Sequence, residues 1–148
     1  MALFGKTFND YIAFSKTLLV AMALIGLLRL VLSAAGVPAS ITNWTSMTFF
    51  LFVTAVLVPI LVNRRGFGSY GSVLVLLVML TFLSQVLTAV GILAAPLTGI
   101  DNAFGAADDT NAAGHALMHV GTFPVVAVIL WLLASVILLV IRMVSPKH

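Results

Sequence analysis

A handful of polar side chains in this 148-residue chain are of a type, and at a spacing, that could do chemistry. His115 and His119 stand four residues apart, so a helix would set both rings on one face. Two imidazoles so placed can hold zinc or copper, with Asp108 or Asp109 as a third ligand. The intervening Ala116-Leu117-Met118 lacks the glutamate of a zinc protease. Bis-histidine haem would need its two rings on facing helices. The simpler alternative is that these histidines cap a loop or bond to neighbouring helices. Asp109-Thr110 reads as the N-cap of the helix that carries them.

Arg29 is more informative. It interrupts an otherwise apolar run, about 18 Å from the run's start at 1.5 Å per residue. A charge so placed in a membrane costs about 2.5–3.5 kcal/mol on insertion scales. The chain contains no glutamate, and Asp10 stands on the wrong side of that run. Four outcomes would satisfy the guanidinium. An outer-loop carboxylate (Asp101, Asp108 or Asp109) dips in, or the side chain snorkels to lipid phosphate. Otherwise a partner subunit supplies an acid, or an anionic or carbonyl ligand binds. Gln85 lies at a similar depth in another apolar run, with His119 somewhat further out. Arg29, Gln85 and His119 could therefore converge, with Asn43 and Trp44 at the lip, on a quinone, a lipid head group or a partner's loop. The alternative is three separate interhelical hydrogen bonds.

The elements that must position these residues follow from composition. Hydrophobic residues make up 62 % of the chain and charged residues 7 %, against about half and a quarter in soluble domains. So small a globule could not hide that much apolar surface, which excludes soluble, disordered and collagen-like classes. The absence of cysteine excludes a disulfide scaffold and any thiolate chemistry. The remaining class is an all-α integral membrane protein, a single four-helix domain over 1–148. A crossing helix needs about 20 apolar residues, and four stretches qualify, at about 17–36, 45–62, 72–95 and 116–141. Val37-Pro38, Asn63-Arg64-Arg65-Gly66 and Pro96 punctuate them. Gly66, Gly68 and Gly71 suggest a flexible second loop, without the Lys-Ser/Thr of a P-loop. Two polar or small-residue stripes, Met22-Gly26-Arg29-Ser33-Gly36 and Thr81-Ser84-Thr88-Gly91-Ala95, read as helix–helix seams. Pro59 and Pro124 each remove one helical bond, giving a kink or a hinge.

Lys6, Lys16, Arg64, Arg65, Arg142 and Lys147 fall on one side of this layout, and the loops 37–44 and 96–114 carry no Lys or Arg. The positive-inside rule then makes both termini cytoplasmic and those two loops external, as in a bacterial inner (cytoplasmic) membrane. The basic balance reads as topology and contact with anionic membrane lipid, not as nucleic-acid binding. Trp44 suits an interface anchor. Leu3, Phe4, Phe8, Tyr11 and Ile12 recur at helical spacing, predicting a short amphipathic interfacial helix over 3–15. Ser33-Ala34-Ala35 resembles a signal-peptide cleavage site, but the long leading stretch and Arg29 favour a retained helix.

No catalytic constellation stands out, so a non-enzymatic role is expected. The leading expectation is a subunit or accessory partner in a membrane complex, docking on other membrane subunits or as a homo-oligomer. A binding or redox module holding a quinone, lipid or metal near the outer face is the alternative, and it requires Arg29, Gln85, His115 and His119 to converge. A small transporter or channel would need a polar path across the bilayer, and the inner halves of the spans are nearly all apolar.

Overall fold

Thr7 sets where the first helix starts. Its Oγ1 accepts from the Asp10 N–H, and the Asp10 carboxylate accepts from the Thr7 N–H at 2.7 Å. This reciprocal capping satisfies two donors that an uncapped helix leaves open. Helix α1 therefore begins at Phe8 and runs unbroken to Ala34. In this computed structural model, which describes residues 2–144, the remaining elements are β1 (Ala2–Leu3), β2 (Lys6–Thr7), α2 (Ala39–Thr42), a 3₁₀ turn (Asn43–Thr45), α3 (Met47–Arg65), α4 (Tyr70–Thr98) and α5 (Ala112–Val144). Lys147, counted above with the basic residues, lies outside the described residues.

Helices α1, α3, α4 and α5 are long and apolar enough to cross a membrane. At about 1.5 Å per residue they measure roughly 40, 28, 43 and 50 Å. Helix α4 packs against the other three, most extensively against α5. The buried cluster along these contacts includes Met22, Leu51, Val58, Leu76, Leu77, Leu80, Leu130 and Leu138. Both seam stripes face inward for most of their length. Met22, Gly26, Thr81, Ser84, Gly91 and Ala95 are buried, and a Cβ on Gly26 would press on Leu87 and Met47 at 3.2–3.3 Å. The outward faces carry Leu24, Leu27, Val31, Val128, Leu132 and Val136, the surface that a bilayer would solvate.

The ends differ from the sequence expectation in three places. Residues 3–15 do not form a separate interfacial helix. Phe4 and Gly5 both take positive φ, making a two-residue turn of the primed type that pairs β1 with β2. Gly5 permits the reversal, and the Thr7–Asp10 cap assigns everything after it to α1. Second, Pro96 does not end α4. The helix continues to Thr98 and stops at Gly99 in the left-handed conformation. Proline lacks only its own N–H, and the helix continues through Leu97 and Thr98. Third, the link between α3 and α4 is tight. Gly66 is the left-handed C-cap of α3, and Gly71 already belongs to α4, where a Cβ would strike the Phe4 ring.

That contact belongs to a latch at the end of the bundle bearing the Lys and Arg residues, hereafter the basic end. The Tyr11 hydroxyl donates to the Leu3 carbonyl at 2.9 Å and toward Ser72 Oγ at 3.4 Å. Phe67 stacks on Phe14 and meets Tyr11 edge-on, with Lys6 over its ring. Arg142, in the last turn of α5, donates to the Gly68 carbonyl, and Trp131 Nε1 donates to that of Tyr70. Tyr11→Phe removes the hairpin's side-chain anchor, a loss of about 1 kcal/mol. Amide exchange of residues 2–7, followed by mass spectrometry in detergent, is expected to accelerate about fivefold. Unchanged exchange would show that the latch rests on apolar contact alone.

Candidate functional site

At the opposite end, which carries Asp101, Asp108 and Asp109, the chain from 99 to 111 folds back against the helices. Asn102 organises this return. Its Oδ1 accepts from the Phe104 and Gly105 N–H groups at 2.9 and 3.2 Å, and its Nδ2 donates to the Gly91 carbonyl at 2.9 Å. The Ala103 N–H donates to Ser33 Oγ of α1 at 2.8 Å. These bonds satisfy backbone donors that a loop pressed into an apolar bundle would otherwise leave open. Two glycines permit the close approach. A Cβ on Gly91 would collide with the Phe104 ring, and one on Gly105 would sit 3.0 Å from Ile92 Cα.

Phe104 is thereby laid over Arg29, with the guanidinium carbon 5.3 Å from the ring centroid. Such a cation–π contact offsets part of a charge's desolvation. It leaves the polar atoms unsatisfied, and among the described residues the buried Arg29 Nε has no hydrogen-bond partner. Nor does any described carboxylate pair with it. Asp101 accepts from the Ala107 N–H at 2.7 Å. Asp109 accepts from the Asn111 N–H at 2.9 Å and faces His115 Nδ1 at 3.5 Å. Asp108 is exposed. The loop does dip toward Arg29, but it delivers an aromatic ring instead of an acid.

Beneath Phe104 lies a cavity of about 290 Å³. Arg29 from α1, Ser84, Gln85 and Thr88 from α4, and His119 from α5 supply its polar walls. Met47, Thr48, Leu51, Ala103 and Val126 complete the lining. His119 Nδ1 lies 3.0 Å from Gln85 Oε1. That oxygen can only accept, so the ring proton of neutral His119 sits on Nδ1. The Gln85 amide NH₂ and His119 Nε2 are then the groups left to meet a ligand. Packing of Phe82 edge-on against Phe123 holds α4 and α5 together one turn away.

The structure thus places Arg29, Gln85 and His119 on one cavity, and the other residues singled out from sequence elsewhere. Asn43 and Trp44 sit on the exposed 3₁₀ turn and do not line it. His115 turns to Asp109, its ring 5.2 Å from that of His119. Among the described residues no three His, Asp or Glu side chains group as a metal site, because Asp109 reaches His115 only and Asp108 reaches neither. Asp109 and Thr110 do not cap α5: the helix begins at Ala112, which puts Asn111 at the capping position, and Asp109 accepts from the Asn111 N–H in the turn before it. Sequence reasoning missed Phe104, although a lone large aromatic in a loop of small and acidic residues was the available signal. No known protein family, curated protein or solved structure matches the chain.

Because the chain has no cysteine, a single introduced thiol reports on this lid. In an Ala103→Cys background, Gly91→Ala improves helix propensity but forces Phe104 aside. Labelling by a water-soluble maleimide is expected to quicken roughly fivefold or more, matching an overpacking cost of about 1–3 kcal/mol. Asn102→Ala is expected to act in the same direction. Labelling at the parent rate in both variants would mean the lid is not held by these contacts.

Proposed function

We propose that the four long helices each cross a bilayer and that the protein is a membrane binding module, holding a small membrane-borne ligand in the cavity at its acidic end. The observation that carries this reading is a cavity lined by Arg29, Gln85 and His119 in which, among the described residues, no carboxylate pairs with Arg29 and its buried Nε has no hydrogen-bond partner. A buried donor without an acceptor costs about 1–3 kcal/mol, and more when charged. A ligand oxygen that reaches the guanidinium from the cavity offsets part of that cost. The cavity is near the lower end of small-molecule sites, roughly 300–1,000 Å³.

The orientation proposed with it follows the charges. The latch, the α3–α4 link and Arg142 face the cytoplasm, and the 99–111 lid faces outward, the layout of a bacterial inner-membrane protein. The β1–β2 hairpin, with Phe4, Lys6 and Phe8, then takes the inner interfacial place that the sequence had assigned to a helix. The role of a complex subunit draws on the same unpartnered donor, since an acid from a neighbouring subunit would also satisfy Arg29.

Extraction in mild detergent followed by native mass spectrometry separates these roles. The parent protein is expected to carry a non-covalent small-molecule adduct, reduced at least tenfold in Arg29→Leu. A stoichiometric partner protein on an adduct-free chain would replace the binding role with the subunit role. An adduct indifferent to Arg29→Leu would place the ligand elsewhere.

A further inference from the structure

The cavity has a neighbour that bears on the kind of molecule it fits. Between α3 and α5 it adjoins an apolar groove of about 170 Å³, walled by Leu51, Phe52, Val126, Ile129 and Leu130. Thr48, Leu51 and Val126 line both spaces. The groove leads away from the acidic end, because both 48→52 on α3 and 126→130 on α5 run toward the basic end. Phe52 and Ile129 are exposed, so its outer side opens onto the surface that hydrocarbon would cover. A polar chamber at one level and an apolar channel leading inward from it match a molecule with a head and a tail.

The chamber's chemistry is lopsided. Arg29 brings a full positive charge and an unpartnered donor. Gln85 has its oxygen engaged by His119, leaving amide donors, and His119 Nε2 is left as a single ring acceptor. Ser84 and Thr88 add hydroxyls. No carboxylate lines the chamber, and Asp101 and Asp109 are committed within the lid. Donors and charge exceed acceptors, which favours an anionic head over a neutral one. We propose, on the strength of the binding role above, that the ligand is an acidic lipid. Its anionic oxygens meet Arg29 in the chamber, and the first methylenes of one tail lie in the α3–α5 groove. A head group at the outer surface with its tail toward the bilayer midplane is also how such a lipid lies in the outer leaflet.

Delipidated protein in nonionic detergent, probed by native mass spectrometry, tests this. The probes are dioleoyl phosphatidylglycerol, dioleoyl phosphatidylcholine, decylubiquinone and free glycerol phosphate. Phosphatidylglycerol is expected to be retained at least tenfold over phosphatidylcholine, with the preference lost in Arg29→Leu. Ile129→Trp, which fills the groove from an exposed position, is expected to lower phosphatidylglycerol occupancy several-fold while leaving the thermal midpoint unchanged. Glycerol phosphate is expected not to compete. Equal retention of the two phospholipids, or competition by glycerol phosphate at similar concentration, would overturn the acidic-lipid assignment. Arg29-dependent binding of decylubiquinone in place of phosphatidylglycerol would also overturn it, yet leave the binding role standing. No probe bound, with no adduct on freshly extracted protein, would remove both.

Discussion

The guanidinium of Arg29 is the constraint around which the acidic end is arranged. No other helix offers it a carboxylate, and the lid spends its own acids on its own turns. What the fold provides instead is a face of Phe104 on one side and an open chamber on the other. An aromatic face answers charge but accepts no conventional hydrogen bond. The arrangement is therefore half-complete by construction: it shelters a cation without supplying, among the described residues, an acceptor for its Nε. This differs from a structural ion pair, in which both partners are supplied by the chain.

The lid depends on that same economy of polar groups. A loop pressed against apolar helices must satisfy its own backbone, and Asn102 does so for two N–H groups at once while gripping α4. Ser33 extends the grip to α1. Gly91 and Gly105 matter because they lack side chains. The seam of small residues on α4 thus has two parts. Near the middle it lets helices approach one another, and near Gly91 it admits an aromatic ring from a loop.

How much of this was legible in the sequence varies with the range of the interactions involved. The four helices were, because long apolar runs are local and leave few alternatives. Their ends were less so. Pro96 looked like a stop, but a proline forfeits one bond while Gly99, three residues later, supplies the actual reversal. The hairpin hid behind five apolar residues at helical spacing, although Thr7-x-x-Asp10 was a readable start signal. Polar residues inside apolar runs marked Arg29, Gln85 and His119 as notable. Phe104 was not marked, since its position follows from an asparagine bonding eleven residues back and from a missing Cβ on Gly91. Trp44 and Asn43 looked like a lip only because their loop lies at the right end of the bundle; on the 3₁₀ turn they are exposed and do not line the cavity.

The latch at the basic end has a consequence for biogenesis. Tyr11 and Ser72 are 61 residues apart, and chains emerge at roughly 5–20 residues per second. About three to twelve seconds therefore separate the synthesis of the hairpin from that of its dock. Ser33 waits a similar time for Ala103, 70 residues on. Through that interval α1 has its capping box but neither its latch nor its lid, and Arg29 has no aromatic cover. The first helix made is thus fastened only after α4 and the lid have followed it, and the α5 contacts of Trp131 and Arg142 close later still.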